Sequence, residues 1–112
     1  MSLGEPRTAS DQFTVITLCG SMQFRDEFER LDAELTLAGH VVLTPTALPP
    51  SRELTAEERA RLGYIHLQKV AMADEVLIVN VGDHVGESTR REIEHARSRG
   101  VTVSYLEPHA PD

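Results

Sequence analysis

Apolar positions along the chain follow two patterns, the continuous runs of buried strands and the three-to-four-residue spacing of amphipathic helices. Apolar runs rich in β-branched residues predict strands over residues 13–19, 41–43, 75–81 and 101–106. Charged segments with apolar residues at helical spacing separate these runs and predict three helices, which end at Gly39, Ala73 and Gly100. This alternation is typical of a parallel sheet that is covered by helices on both faces.

Local signals support the first two helices. Ser21 can cap the first helix, whose predicted core face consists of Phe24, Phe28, Leu31 and Leu35. Thr55 and Glu58 have the spacing of a capping box at the start of the second helix. The predicted apolar stripe of that helix consists of Leu62, Ile65, Val70 and Ala73.

We therefore expect an α/β fold, a three-layer flavodoxin- or Rossmann-like parallel sheet of four to five strands flanked by helices. The chain has 112 residues, enough for one domain over residues 13–107. Residues 1–12 are predicted to be a flexible N-terminal arm and residues 108–112 a tail. In such sheets ligands bind beyond the carboxyl ends of the strands. The loops expected to meet there are 19–22, 44–51 and 80–89.

Composition narrows the classes of partner. The chain has 18 acidic against 11 basic residues and a net charge of −7, which argues against a nucleic-acid polymer as ligand. Aromatic residues make up 4%, which disfavours a platform for base stacking. No apolar stretch reaches the roughly 18–20 residues that cross a bilayer, so we expect no membrane association. A small anionic ligand remains compatible with this composition.

Cysteine and histidine usage predicts neither a disulfide nor a metal site. The single cysteine, Cys19, cannot form an internal disulfide, and a reducing cytoplasm is the expected location. We interpret Cys19 as a small core residue, because no histidine lies near it in the sequence to activate its thiol. The five histidines show no metal-ligand spacing with cysteine or carboxylates. Phosphate-loop and dinucleotide motifs are also absent, so we predict no metal and no cofactor.

The turn after the first predicted strand is one candidate for ligand binding. Gly20 allows a ligand to approach the backbone closely, and the hydroxyl of Ser21 lies beside helix N–H groups, which together suit an anion. The same two residues also suit a plain strand-to-helix turn with a serine cap. The local sequence favours neither interpretation.

The start of the third predicted helix is a second candidate. Thr89 and Glu92 have capping-box spacing, so Glu92 is either a helix cap or a carboxylate that projects from the first turn into the crevice. Ser88 and Thr89 can hydrogen-bond a ligand there, and Arg90 and Arg91 can supply positive charge.

The second predicted helix offers a third candidate. His66, with Tyr64, could line the mouth of the crevice, although a histidine on an apolar helix face is more often semi-buried and structural.

Three segments together resemble the nucleoside 2-deoxyribosyltransferase-like superfamily, which includes deoxynucleoside-monophosphate N-glycosidases. They are residues 16–21 (ITLCGS), residues 64–76 (YIHLQKVAMADEV) and residues 80–96 (NVGDHVGESTRREIEHA), and the resemblance extends over residues 13–107. Glu92 fits the family's nucleophile pattern G-T-x-x-E-[LI]-G-x-A. The resemblance implies attack by Glu92 on the anomeric carbon of a (deoxy)ribosyl group, followed by release to water or to a second base.

The resemblance also implies the ligand and the assembly. The expected substrate is a nucleoside or a nucleoside 5′-monophosphate, no cofactor is involved, and subunits pair as a homodimer. The expected substrate-binding residues are Gly20, Ser21, Met22, Tyr64, Asp83, Gly86, Ser88, Thr89 and Arg90.

Two departures from the family pattern matter. The family's catalytic aspartate has no counterpart, since an ungapped match places His66 there and a gapped match places Lys69. We predict His66 as the second catalytic residue, which can donate a proton only if it is protonated or suitably oriented. Glu94 replaces a family glycine and would raise one glutamate pKa if it faced the ligand together with Glu92. The hypotheses are therefore an enzyme of N-glycosidic bonds or, as the alternative, a non-catalytic nucleotide-binding module.

Overall fold

The computed structural model describes residues 13–109, so the predicted arm and the last three residues of the predicted tail lie outside the described residues. Strands and α-helices alternate along this part of the chain. They are β1 (Val15–Cys19), α1 (Arg25–Leu37), β2 (Val41–Leu43), α2 (Ala56–Ala71), β3 (Glu75–Ile78), α3 (Glu87–Ser98) and β4 (Thr102–Tyr105). Short 3-10 turns at Met22–Phe24 and Val81–Asp83 precede α1 and α3.

The four described strands form one parallel sheet in the order β2-β1-β3-β4. The predicted α/β fold with a parallel sheet is thus confirmed. In this flavodoxin-type order the chain adds β2 on one side of β1 and then β3 and β4 on the other. The order reverses between β1 and β3, so the loops that follow these two strands diverge and leave a crevice.

A hydrophobic core lies on each face of the sheet because the apolar strands alternate their side chains between the two faces. Ile16, Leu18 and Val79 pack with α1 on one face. On the other face, Cys19 and Ile78 pack with apolar residues of α2 and α3. Full burial of one aliphatic side chain contributes roughly 1.5–3 kcal/mol, and these cores hold all three helices on the sheet.

The first helix follows its predicted pattern. Phe28 and Leu31 are buried, Phe24 and Leu35 pack at the edge of the same cluster, and the chain turns at Gly39 with a positive φ of 103°. The predicted cap differs in one detail, because Ser21 caps the 3-10 turn that precedes α1. That extra turn moves the start of α1 to Arg25.

The second helix begins with the predicted capping box. The hydroxyl of Thr55 accepts a hydrogen bond from the N–H of Glu58, and the Glu58 carboxylate accepts one from the N–H of Thr55, both at 3.0 Å. The predicted apolar stripe was partly wrong, since Ile65 is 46% exposed and the neighbouring His66 is buried with Val70. Adjacent helical residues point about 100° apart, so a helix that turns His66 toward the sheet leaves Ile65 outside.

The third helix begins earlier than predicted. Gly86 is its N-cap, and the N–H of Arg90 donates to the carbonyl oxygen of Gly86 at 3.0 Å. Thr89 already lies inside the first turn, so of the two alternatives left open for Glu92 the capping box with Thr89 is ruled out. Glu92 lies in the second turn of α3, and its side chain is available for other contacts.

The third strand ends earlier than predicted, at Ile78 instead of residue 81. Asn80 leaves the ladder because its side chain bonds the backbone of Glu107. Among the described residues, no helix combines the length and the apolar character that crossing a membrane requires.

Candidate active site

A cleft of about 440 Å³ lies beyond the carboxyl ends of β1 and β3, where the strand order reverses. It is bounded by the turn after β1, the start of the loop after β2, one side of α2 and the start of α3. The lining residues are Gly20, Ser21, Met22, Pro45, Thr46, Arg59, Leu62, Gly63, Ile65, His66, Lys69, His84, Gly86, Ser88, Thr89 and Glu92. The three loops expected to meet at this edge do meet there.

The floor of the cleft is set by the packing of α2 against β1. The hydroxyl of Thr17, a fully buried residue of β1, donates to the main-chain oxygen of Lys69 in α2 at 2.8 Å. This bond fixes the rotation of α2 and brings His66, one turn earlier, over the end of β1. The imidazole Nε2 of His66 lies 3.6 Å from the Sγ of Cys19.

Glu92 reaches the same point from α3. Its Oε1 lies 3.9 Å from Nε2 of His66, and its side chain is 17% exposed. We call Cys19, His66 and Glu92 the cleft triad. The sequence suggested no histidine near Cys19 and no metal-ligand spacing, because the three residues belong to three elements that only the fold brings together.

Burial dominates the ionisation of the cleft triad. It raises the pKa of Glu92 to about 7, while a Cys19 hydrogen bond and the charge of Arg91 oppose the rise. Burial also lowers the pKa of His66 to about 4. The positive charge of Lys69 lowers it further, and a hydrogen bond with the backbone of Leu18 opposes the shift. Burial, followed by the nearby Glu92, also raises the pKa of the Cys19 thiol.

Near neutral pH Cys19 and His66 are therefore uncharged, and Glu92 is the member of the triad that titrates there. His66 is neutral, so its contact with Glu92 is not an ion pair, and Glu92 exchanges its proton close to neutrality. The expectation that Glu94 would perturb Glu92 does not apply, because Glu94 is exposed and borders a different hollow. A carboxylate poised near neutral pH in a cleft is a candidate for acid, base or nucleophilic chemistry.

The turn after β1 has a structural role as well as a place in the cleft. A Cβ on Gly20 would lie 2.8 Å from the main-chain oxygen of Val79, so close approach to the segment after β3 requires glycine here. The hydroxyl of Ser21 accepts a hydrogen bond from the N–H of Gln23 at 3.3 Å. Both residues and Met22 still border the cleft.

Positive charge in the cleft comes from α2. The ammonium of Lys69 donates to the main-chain oxygen of Thr44 at 2.7 Å and also contacts the hydroxyl of Thr46. Arg59, in the first turn of α2, donates to the main-chain oxygen of Leu54 at 3.1 Å. Sequence reasoning missed Arg59, since it lies outside every motif and only the position of α2 brings it to the cleft.

Three predicted binding residues lie away from the cleft. Tyr64 is 73% exposed and lines a hollow on the outer side of α2 and a second one shared with Ser88 and Glu92. Arg90 borders a separate hollow with Tyr105. Asp83 is held by Asn80.

Asn80 forms a second polar cluster at the same edge of the sheet. Its amide nitrogen donates to the Asp83 carboxylate and to the main-chain oxygen of Glu107, both at 3.0 Å, and its Oδ1 accepts from the N–H of Glu107 at 2.9 Å. The Nδ1 of His109 lies 2.6 Å from the Asp83 carboxylate. We call these four residues the Asn80 network. It ties the end of β4 to the loop after β3.

Comparison with known proteins supports the fold. No protein-family model matches the sequence, and no curated protein matches it. A solved structure of a 2-deoxyribosyltransferase from the psychrotolerant bacterium Bacillus psychrosaccharolyticus, described as a biocatalyst for nucleoside synthesis, matches with a TM-score of 0.60. The match covers 88% of this chain and 75% of that chain at 18% identity. The chain thus shares the flavodoxin-like α/β fold of a 2-deoxyribosyltransferase.

Proposed function

We propose that the protein binds a (deoxy)nucleoside or nucleoside 5′-monophosphate in the cleft and cleaves or exchanges its N-glycosidic bond, with Glu92 as nucleophile. The observation that carries the proposal is the Glu92 side chain, mostly buried yet bordering the cleft where this fold binds ligands. Glu92 is also the sole carboxylate among the lining residues of this cleft in the described part of the chain.

The chemistry follows from a single carboxylate beside an anomeric carbon. A carboxylate oxygen of Glu92 bonds to C1′, the C1′–N bond breaks, and its electron pair leaves with the base. Water then attacks C1′, loses a proton, and releases the sugar and the Glu92 carboxylate. A second base in place of water gives exchange instead of hydrolysis.

The environment of Glu92 suits this role above neutral pH. Its pKa of about 7 means that the carboxylate form, which is the nucleophile, becomes dominant as pH rises through neutrality. A carboxylate that burial has partly stripped of water is more basic and more reactive toward carbon than an exposed one. Base release should therefore rise with pH across this range.

The departing base needs a proton, and Lys69 is the donor that we propose. His66, our first expectation for the second catalytic residue, is neutral near neutral pH because burial lowers its pKa to about 4. It therefore cannot donate as an imidazolium, and we assign it to holding Glu92 in place. Lys69 borders the cleft, and its ammonium group contacts the main-chain oxygen of Thr44 and the hydroxyl of Thr46, which also lines the cleft.

We assign the start of α3 to contacts with the phosphate or sugar of the ligand. Its N-cap, Gly86, has no side chain to bond the first helical N–H groups, which leaves them available to an anion. Ser88 borders the cleft beside them, and Ser21 faces the cleft from the turn after β1. These residues replace Arg90, which lies elsewhere.

A nucleotide-binding module without turnover is the second candidate. The absence of any second carboxylate among the described lining residues favours it, because most glycoside-cleaving sites use a pair of carboxyl groups. Such a module would bind the same ligands in the same cleft.

The test is base release, followed by chromatography over a panel of nucleosides and 5′-monophosphates. We expect Glu92→Gln to lower base release by at least about 1,000-fold, as loss of a nucleophile does. Glu94→Gln, an exposed change on the same helix, serves as the matched control and should keep full activity. Ligands that raise the Tm of the wild-type protein without any base release would identify the binding module instead.

Two further expectations remain proposals. We propose a homodimer, to which the exposed apolar side chains of Tyr64, Ile65 and Met72 on and just after α2 lend support. Light scattering at micromolar concentration measures it directly. A cytoplasmic location likewise remains a prediction.

A further inference from the structure

The cleft triad combines three side chains that are all common metal ligands. The Sγ of Cys19, the Nε2 of His66 and a carboxylate oxygen of Glu92 lie within 4.8 Å of one another. They come from β1, α2 and α3, so the three elements hold them from three directions.

The spacing suits a tetrahedral ion. Zinc at its usual bond lengths, about 2.3 Å to sulfur and about 2.0 Å to nitrogen or oxygen, keeps its ligand atoms roughly 3.3–3.5 Å apart. Here sulfur and nitrogen are 3.6 Å apart, nitrogen and oxygen are 3.9 Å apart, and sulfur and the nearest carboxylate oxygen lie within 4.8 Å of each other. Small side-chain rotations close the remaining difference.

The donor set selects among metals. A thiol and an imidazole favour Zn²⁺ over Mg²⁺ or Ca²⁺, which prefer oxygen ligands. His66 and Glu92 border the cleft while Cys19 lies behind them, so an ion can enter from the cleft and keep one coordination position open toward it.

We propose that Cys19, His66 and Glu92 form a binding site for one Zn²⁺ ion, and that the bound ion is coordinated by the Glu92 carboxylate. Binding forms the Zn–S, Zn–N and Zn–O bonds and displaces zinc-bound water. The thiol proton of Cys19, and any proton on Glu92, passes to solvent. No redox partner is needed. The metal site does not depend on the proposed glycosidic activity. Zn²⁺ bound to Glu92 would block this residue as nucleophile, and that consequence alone rests on the proposed function.

Cobalt is the spectroscopic probe for this site. Co²⁺ added to chelator-treated, full-length protein should give the intense visible bands of a tetrahedral complex and a thiolate-to-cobalt band in the near ultraviolet. Zn²⁺ should bleach both at one equivalent per chain. A weak octahedral spectrum without the thiolate band would overturn the proposal, because it would place the metal on surface carboxylates or histidines.

Variants assign the ligands. Cys19→Ser, close in size to the native residue, should abolish the thiolate band, and His66→Gln and Glu92→Gln should each weaken Zn²⁺ binding by about 100-fold or more. Matched controls on the same helix as Glu92 are Glu94→Gln and His95→Gln, which should bind Zn²⁺ as the wild type does. Equal weakening in controls and triad variants would contradict the site.

Folding and activity are read separately. Circular dichroism checks each variant, and if Cys19→Ser does not fold, the Glu92→Gln titration decides the question. Zn²⁺ binding with the expected ligands but no base release from any substrate leaves the metal site standing and removes the proposed function. Base release by a protein that does not bind Zn²⁺ supports the proposed function and removes the metal site.

Discussion

The two polar clusters at the carboxyl edge of the sheet differ in how well their members are paired. In the Asn80 network the hydrogen bonds of Asn80 span 2.9–3.0 Å and include both the N–H and the main-chain oxygen of Glu107. In the cleft triad, the Nε2 of His66 lies 3.6 Å from the Sγ of Cys19 and 3.9 Å from the Oε1 of Glu92. Asn80 is fully buried and its hydrogen bonds satisfy its side chain, whereas the buried Nδ1 of His66 has no hydrogen-bond partner among the described residues.

The difference separates a stabilising cluster from a reactive one. Buried polar groups that satisfy one another contribute to stability, and removal of one leaves its partners unpaired. Buried titratable groups that are only partly paired cost stability and acquire shifted pKa values, a combination that is concentrated at functional sites. We therefore expect substitutions in the two clusters to change stability in opposite directions.

The largest effect is expected for Asn80→Ala. The change removes three hydrogen bonds and leaves both main-chain groups of Glu107 without these partners, so the free energy of unfolding should fall by about 3 kcal/mol. Urea denaturation at pH 7 measures it. A loss below about 1 kcal/mol would remove the distinction between the two clusters.

Glu92→Gln should stabilise the protein, but only at higher pH. The folded-state pKa of Glu92, about 7, lies above its ordinary value of 4.5, so the native state keeps a proton that the unfolded chain releases between these values. Stability is therefore lost as pH rises from 4.5 to 7, and glutamine removes this loss.

The expected gain for Glu92→Gln is on the order of 2 kcal/mol at pH 8 and close to zero at pH 4.5. Urea denaturation at a series of pH values measures both. A gain of the same size at every pH would mean that burial of the charge is not its cause.

Asp83→Asn should have the smallest effect of the three. Asn80 and His109 lower the pKa of Asp83, with His109 as the larger cause, but the carboxylate is exposed and solvent screens this interaction. Asparagine also tolerates the positive φ of 59° at this position and can still accept from Asn80. A Tm within about 2 °C of the wild type is expected, and a much larger drop would make the His109 contact a main support of the network.

Local patterns predicted the elements well and their ends less well. The parallel sheet, the capping box of Thr55 and the core face of α1 follow from periodicity and short-range hydrogen bonding. The early start of α3 does not, because Gly86 caps it without a side chain, and neither does the early end of β3, because Asn80 bonds Glu107 just beyond the end of β4. Long-range bonds of this kind leave no mark in the neighbouring sequence.

Site residues divide in the same way. Ser21, Ser88 and Glu92 reach the cleft as expected because their loops follow β1 and β3, whose carboxyl ends must share an edge. Tyr64 and Arg90 lie elsewhere because their direction depends on the rotation of α2 and α3 against the sheet, which the Thr17 bond and core packing set.

The sequence alone determines the alternation of strands and helices and the parallel sheet. It also indicates one candidate carboxylate, Glu92, at the carboxyl edge of that sheet. Hydrophobic period, capping and turn chemistry are local properties, so they can be derived from short windows of sequence. The meeting of Cys19 with His66 and Glu92, and the burial that moves the pKa of Glu92 to about 7, arise only when three elements pack together. Desolvation depends on everything that surrounds a group in space, and no stretch of sequence contains that information.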